Sequence, residues 1–300
     1  MQPSEFEERE YEAPLYVQLQ HSSSNVWSPG QVLEAHIGFD HALFTMHPYF
    51  WRLQGFVAPP LGVVLGGYPL HHWWTGSQLN RLLPDFSLNL FIQAKRPLVG
   101  TRATKALKAL GISGPYWKFL VSKNQQLVLE SLAQTTSGSA LVCYACAAFD
   151  RVSELWAHSR TGSIVAASTF PTAASLRGHE AWYYTSAGCS GVANPTHERI
   201  EEASLHEKIS RLASQRAEAQ HHSDDFQQNL EQLAKAIYNS LNEEAVGNSG
   251  RTAAYFESLR EIDQYISAAQ MPRQAEAVRS YLAVAVFASI FGLQWYTISP

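Results

Sequence analysis

The chain has 300 residues, 46% of them hydrophobic and 16% charged. That much apolar material supports a substantial core and excludes wholesale disorder, and the length allows one large domain or two smaller ones. A formal net charge of −4 excludes a protein whose whole surface is a basic field for nucleic acid, but not one with a local basic cleft.

The opening stretch, MQPSEFEEREYE, is acidic and polar, without the basic start and apolar run of a signal peptide. The three cysteines, Cys143, Cys146 and Cys189, are too few for a disulfide framework. Both features predict a reducing, cytoplasmic setting. Residues 6–19 read as an acidic amphipathic helix with Glu10 and Glu12 as candidate acids. Ser28-Pro29 is a good cap and first-turn pair for a short helix near whose end lies Glu34, and Gly38-Phe39-Asp40 leads into a strand. Residues 44–87 are crowded with aromatics, His, Pro and Gly and predict an irregular insertion between two core elements.

Short apolar runs then alternate with turns. LNLFIQAK (88–95), KFLVS (118–122), SALVCYACAAF (139–149) and SIVAASTF (163–170) predict strands, and Thr101–Leu110 and Asn124–Gln134 predict helices between them. Such an order suggests an α/β domain with a mixed sheet flanked by helices. Near residue 195 the text becomes helical. Glu198 to Tyr238 carries apolar residues at spacings of three to five, the VGNSG turn (246–250) breaks the pattern, and Thr252–Ala268 and Arg273–Phe291 complete it. The expected organisation is therefore an α/β domain over 1–195 and a helical domain over 196–300. The C-terminal helices are candidates for homo-oligomer or partner-subunit contact. The nearly uncharged stretch Tyr281–Ile298 is long enough to cross a bilayer. It reads better as a buried helix stopping near Gly292, followed by the strand Leu293–Ile298, so no membrane association is expected.

The chemistry centres on Gln93-Ala94-Lys95. Strand side chains alternate with period two, so Gln93 and Lys95 share one face at the end of an apolar strand, where a charge can reach a cleft. A Mg²⁺-dependent nuclease needs hard oxygen ligands for the metal and a lysine beside them to orient water or neutralise developing charge. The order Glu34, Gly38-Phe39-Asp40, then an apolar strand ending Gln93-Ala94-Lys95 resembles the PD-(D/E)XK nuclease superfamily. The resemblance covers residues 5 to 175. It implies a restriction-endonuclease-like core, a Mg²⁺ (or Mn²⁺) cofactor, and phosphodiester hydrolysis in DNA, less often in RNA. By resemblance Asp40 is the metal-binding acid, Gln93 the second motif position and metal ligand, Lys95 the catalytic lysine, and Glu34 the acid on the helix. Gln93 stands where the family usually has an acid; it offers a carbonyl oxygen without charge, which shifts the burden to Asp40 and Glu34. Asp85 of Pro84-Asp85 is a second candidate for the metal acid.

Arg96, Arg102, Lys105 and Lys108 follow the strand and are candidate phosphate contacts, although a solvated helix face reads equally from them. The layout is also similar to effectors of bacterial defence systems. An eroded, non-catalytic binding or assembly protein is the alternative. Cys143-x-x-Cys146 lies in a strand where residues three apart face opposite sides, so small buried cysteines are expected rather than a metal half-site. The pairs His71-His72 and His221-His222 fit no metal motif, His179 reads as a packed histidine, and Gly188-Cys189-Ser190-Gly191 is not a nucleophile elbow.

Overall fold

The structure is a computed structural model. It describes residues 1–21, 26–27, 88–188, 190–218, 226–242, 249–268 and 275–298. Glu34, Asp40, Asp85, the 44–87 insertion, Cys189 and both histidine pairs lie outside the described residues.

Two sheets carry the described strands. The central one has the order β2 (Val26–Trp27), β11 (Gln294–Ile298), β3 (Leu88–Lys95), β6 (Ala140–Ala147), β7 (Ser168–Thr169). Only β3 and β6 run parallel; the other pairs are antiparallel. The second sheet is antiparallel throughout: β1 (Gln2–Pro3), β4 (Leu98–Gly100), β5 (Tyr116–Leu120), β8 (Ala181–Tyr184), β9 (Ser190–Asn194), β10 (Glu198–Glu201). The helices are α1 (Glu8–His21), α2 (Lys105–Ala109), α3 (Lys123–Thr135), α4 (Val152–Thr161), α5 (Leu205–Glu218), α6 (Phe226–Leu241), α7 (Gly250–Ala268) and α8 (Ala275–Phe291). The α/β class is as expected.

β3 and β6 read as continuous apolar runs because both of their faces are covered. On one face Leu88, Leu90, Ile92 and Ala94 meet Leu141, Cys143, Ala145 and Ala147 under α1, α4 and α5. On the other, Phe91, Val142, Tyr144 and Cys146 pack with α3, α6, α7 and α8. Cys143 and Cys146 fall on opposite faces, both as buried thiols. The second sheet gives Phe119, Trp182, Tyr184 and Ala193 to this second core and Tyr116, Ala181, Tyr183 and Val192 to a smaller one under Leu107 and Ile112. Trp117 and Lys118 pack too: Trp117 stacks on Tyr184 and the Lys118 ammonium lies 5.1 Å from the centre of the Tyr183 ring.

β3 has the expected bounds. The helix over 101–110 shortens to α2, whose first turn is capped by Thr104 Oγ1 accepting from the Leu107 amide at 3.3 Å. In the 163–170 run only Ser168–Thr169 is strand. The preceding residues turn instead, with the Ala167 amide donating to Ser163 O and the Val165 amide to Gln18 Oε1. Glu198–Glu201 is a strand rather than a helix start, because each of its residues has a partner on β9, from Glu198 opposite Ala193 to Glu201 opposite Ser190.

Residue 195 lies in the β9–β10 connection, within one sheet. The C-terminal helices share a core with the central sheet, and β11 pairs with β3 from Gln294 opposite Ile92 to Ile298 opposite Leu88. Phe91 lies between Trp295 and Phe287, with ring centroids 6.5 and 6.2 Å away. α8 ends at Phe291, and Gly292, at φ +66°, takes the left-handed turn into β11 that only glycine adopts at no cost. Among the described residues, no helix is long and apolar enough to cross a membrane.

Candidate active site

β11 accompanies β3 only as far as Ile92. The last three residues of β3 have β6 on one side, where Gln93 faces Tyr144 and Lys95 faces Cys146. On the other side, beyond the start of β11, a polar cleft of about 410 Å³ opens. Gln93 and Lys95 line it together, as the period-two spacing predicts.

The other walls come from distant parts of the chain. α1 supplies Glu8, Arg9, Glu12 and Tyr16, α3 supplies Gln125, and Arg251 stands on the first turn of α7. The α8–β11 turn contributes the Phe291–Gln294 stretch. α1 is anchored by Tyr11, Leu15 and Leu19, which recur every four residues on its buried stripe. Glu8 and Glu12, also four apart, run alongside that stripe and are carried inward with it. Glu8 accepts a hydrogen bond from the Arg96 amide at 3.2 Å. Glu10 turns away: exposed, it caps the helix by accepting from the Glu7 amide at 2.7 Å. Of the two acids considered on this helix, Glu12 is at the cleft and Glu10 is not.

Gln125 links the strand pair. Its Oε1 accepts from Lys95 Nζ at 2.9 Å, and its Nε2 donates to Gln93 Oε1 and, at 2.9 Å, to Phe291 O. Lys95 Nζ also lies 5.8 Å from the centre of the Tyr144 ring. Burial pushes the Lys95 ammonium below the usual lysine range, an effect that the carboxylate of Glu8 opposes and Arg251 reinforces. Burial raises the Glu12 carboxyl above the usual glutamate range, the charge of Glu8 adds to this, and Arg9 and Lys95 oppose it. The cleft thus holds an acid and a base whose proton affinities burial draws toward each other.

Glu8, Glu12 and the carbonyl oxygen of Gln93 are hard oxygen donors of the kind Mg²⁺ takes. They fit such an ion in type but not in number: among the described residues no group of three or more His, Cys, Asp or Glu side chains is arranged to hold a metal. Glu34 and Asp40, the acids expected to complete the set, lie outside the described residues.

The expected phosphate contacts separate into two kinds. Arg96 is occupied in docking the N-terminus: Nη1 donates to both Glu7 carboxylate oxygens at 2.7 and 2.8 Å, and Nη2 to Ser4 O at 2.6 Å. Arg102, Lys105 and Lys108 are exposed on and before α2. Glu8, Arg9, Gln125 and Arg251 escaped the sequence reading. The Glu8-x-x-x-Glu12 spacing was a usable signal, since residues four apart share a helix face. Nothing local marks Gln125 or Arg251.

No family model, no curated protein and no solved structure matches this chain.

Proposed function

We propose that the chain is a metal-dependent endonuclease that hydrolyses phosphodiester bonds in nucleic acid, DNA in preference to RNA. The observation that carries this reading is the convergence of Gln93 and Lys95, from one strand face, with Glu8 and Glu12, from one helix face, on a single polar cleft. Mg²⁺ or Mn²⁺, when bound, would supply charge stabilisation at the phosphate and a more acidic water. Glu8, Glu12 and the Gln93 carbonyl oxygen, with Asp40 and Glu34, are the residues proposed to hold it.

Lys95 is the proposed catalytic lysine. At the wall of the cleft its ammonium can hydrogen-bond a water aligned for attack and offset charge building on the phosphate. Arg9 and Arg251 bring further positive charge to the same cleft, where a phosphate backbone would lie. A cytoplasmic defence effector is the setting this reading favours, by analogy of layout alone.

One observation favours a non-catalytic binding role: the Gln93 carbonyl oxygen already accepts from the Gln125 amide, and no acid replaces it on β3. Incubating the full-length protein with plasmid, linear DNA and RNA in Mg²⁺, Mn²⁺ or EDTA separates the two. Cutting that requires metal supports the nuclease; metal-insensitive binding without cutting supports the alternative.

A further inference from the structure

Gln125 sits on the first turn of α3 with 7% of its surface exposed, facing the ends of two other elements. Its hydrogen bonds fix which way the side-chain amide points. Phe291 O is a carbonyl and can only accept, so the atom facing it must be Nε2. The second Nε2 hydrogen goes to Gln93 Oε1, and Oε1 of Gln125 is then left toward Lys95 Nζ, which can only donate. Each contact agrees with the others, and no flipped arrangement would satisfy both Phe291 and Lys95.

We propose that Gln125 is a positioning residue, whose amide holds Gln93 and Lys95 in their orientation toward the cleft and ties both to the end of α8. Three separate segments of the chain meet at this one side chain. Phe291 is the last residue of α8, and its carbonyl has no partner further along that helix, so Gln125 also satisfies a helix-end acceptor. For Lys95 the bond restrains a long side chain with many rotamers. For Gln93 it turns the carbonyl oxygen, rather than the amide nitrogen, toward Gln125. The C-terminal helices thereby become part of the site's support.

What the positioning serves rests on the nuclease reading; the hydrogen-bond arrangement does not. The test therefore has one arm without substrate and one with it. In the first, Gln125→Leu, Gln125→Glu and Lys95→Met are made singly, and each Gln125 variant is combined with Lys95→Met. Unfolding in denaturant is followed for each. The expected result is that Gln125→Leu costs markedly less in the Lys95→Met protein than in the unaltered one, because its partner is already gone, whereas Gln125→Glu, whose carboxylate keeps the bond to Lys95, costs more once the lysine is removed. Costs that simply add would overturn the proposal. Gln125→Glu keeps the size of the side chain and an acceptor for Lys95, so the cycle can be completed even where Gln125→Leu fails to fold.

In the second arm, metal-dependent cleavage is measured across substrate concentrations. Gln125→Leu is expected to lower kcat by about tenfold or more with KM little changed, as a misplaced catalytic group does. Gln125→Glu is expected to recover part of that loss. An unchanged kcat in Gln125→Leu would overturn the proposal. Coupled unfolding in a protein that cuts nothing would sink the nuclease reading and leave the positioning role standing. Additive unfolding in a protein that does cut would do the reverse.

Discussion

A carboxylate oxygen of Glu8 accepts a hydrogen bond from the backbone amide of Arg96, 3.2 Å away and one residue past Lys95. This bond sets the first turn of α1 against the end of β3. It brings the Glu8–Glu12 edge of the helix to the cleft that Gln93 and Lys95 line. The side chain of the same Arg96 clamps Glu7 and Ser4, so one arginine docks the N-terminal segment twice.

That clamp separates Arg96 from the lysines of α2. Arg96→Ala is expected to lower stability by about 1–2 kcal/mol, since several charge-assisted bonds are lost at a partly exposed site. It should also speed proteolysis within residues 1–21. Lys105→Ala and Lys108→Ala, on exposed positions, are expected to change stability by less than about 0.5 kcal/mol. If α2 contacts phosphate, both should weaken nucleic-acid binding, and the salt dependence of binding should become shallower. Chemical denaturation, limited proteolysis and fluorescence anisotropy at several salt concentrations check the three statements.

The cleft also shapes stability against pH. The folded-state affinity of Glu12 for a proton is raised above the ordinary value of 4.5. Its contribution is therefore fully present below pH 4.5 and lost as pH rises through the raised value. Lys95 is shifted below its ordinary 10.5. Its stabilising contribution is present above that value and lost as pH falls through the lowered one. Above the raised value for Glu12, and below the lowered one for Lys95, each group carries its charge against its surroundings. Glu12→Gln and Lys95→Met are each expected to raise the melting temperature at neutral pH. The Glu12→Gln gain should vanish in acid and the Lys95→Met gain in strong alkali. Melting curves from acid to alkaline pH would show it; a loss of stability at pH 7 in both variants would contradict the assigned shifts.

Away from the cleft, Lys208 of α5 and Glu202 form an ion pair in which each side chain is only 10% exposed. Lys208 also donates to Phe170 O at 2.7 Å, while Glu202 accepts from the Thr172 amide and hydroxyl. Removing one partner strands a buried charge, so Lys208→Ala is expected to destabilise by about 3–5 kcal/mol. The double variant Lys208→Met with Glu202→Leu is expected to recover part of that. Denaturant midpoints of the two proteins decide it; equal losses would mean that the stranded Glu202 charge is not the cause.

The contrast between β3 and the rest of the site shows what the sequence could reveal. Leu88–Lys95 was legible because an apolar run covered on both faces and a same-face Gln-x-Lys pair are local patterns. The helix bearing Glu12 was legible too, as was the strand after Gly292. Which acid of α1 turns inward was not, because that depends on how Tyr11, Leu15 and Leu19 seat the helix on the sheet. β10 was misread because the apolar spacing beyond residue 198 is helical in form, while pairing with β9 is a tertiary choice that propensity does not encode. Gln125 and Arg251 could not be found from spacing: one is 30 residues from Lys95 and the other lies on a helix near the other end of the chain. Packing alone unites them.

The measurement that tests the central claim most directly is the rate of Mg²⁺-dependent plasmid cleavage by Lys95→Ala and Asp40→Ala beside the unaltered protein, each confirmed folded by its melting transition. The account predicts that the unaltered chain cuts in Mg²⁺ and not in EDTA. Each variant should lose at least about 100-fold in rate, as removal of a charge-stabilising group does. Full cleavage by a folded Lys95→Ala protein would contradict it.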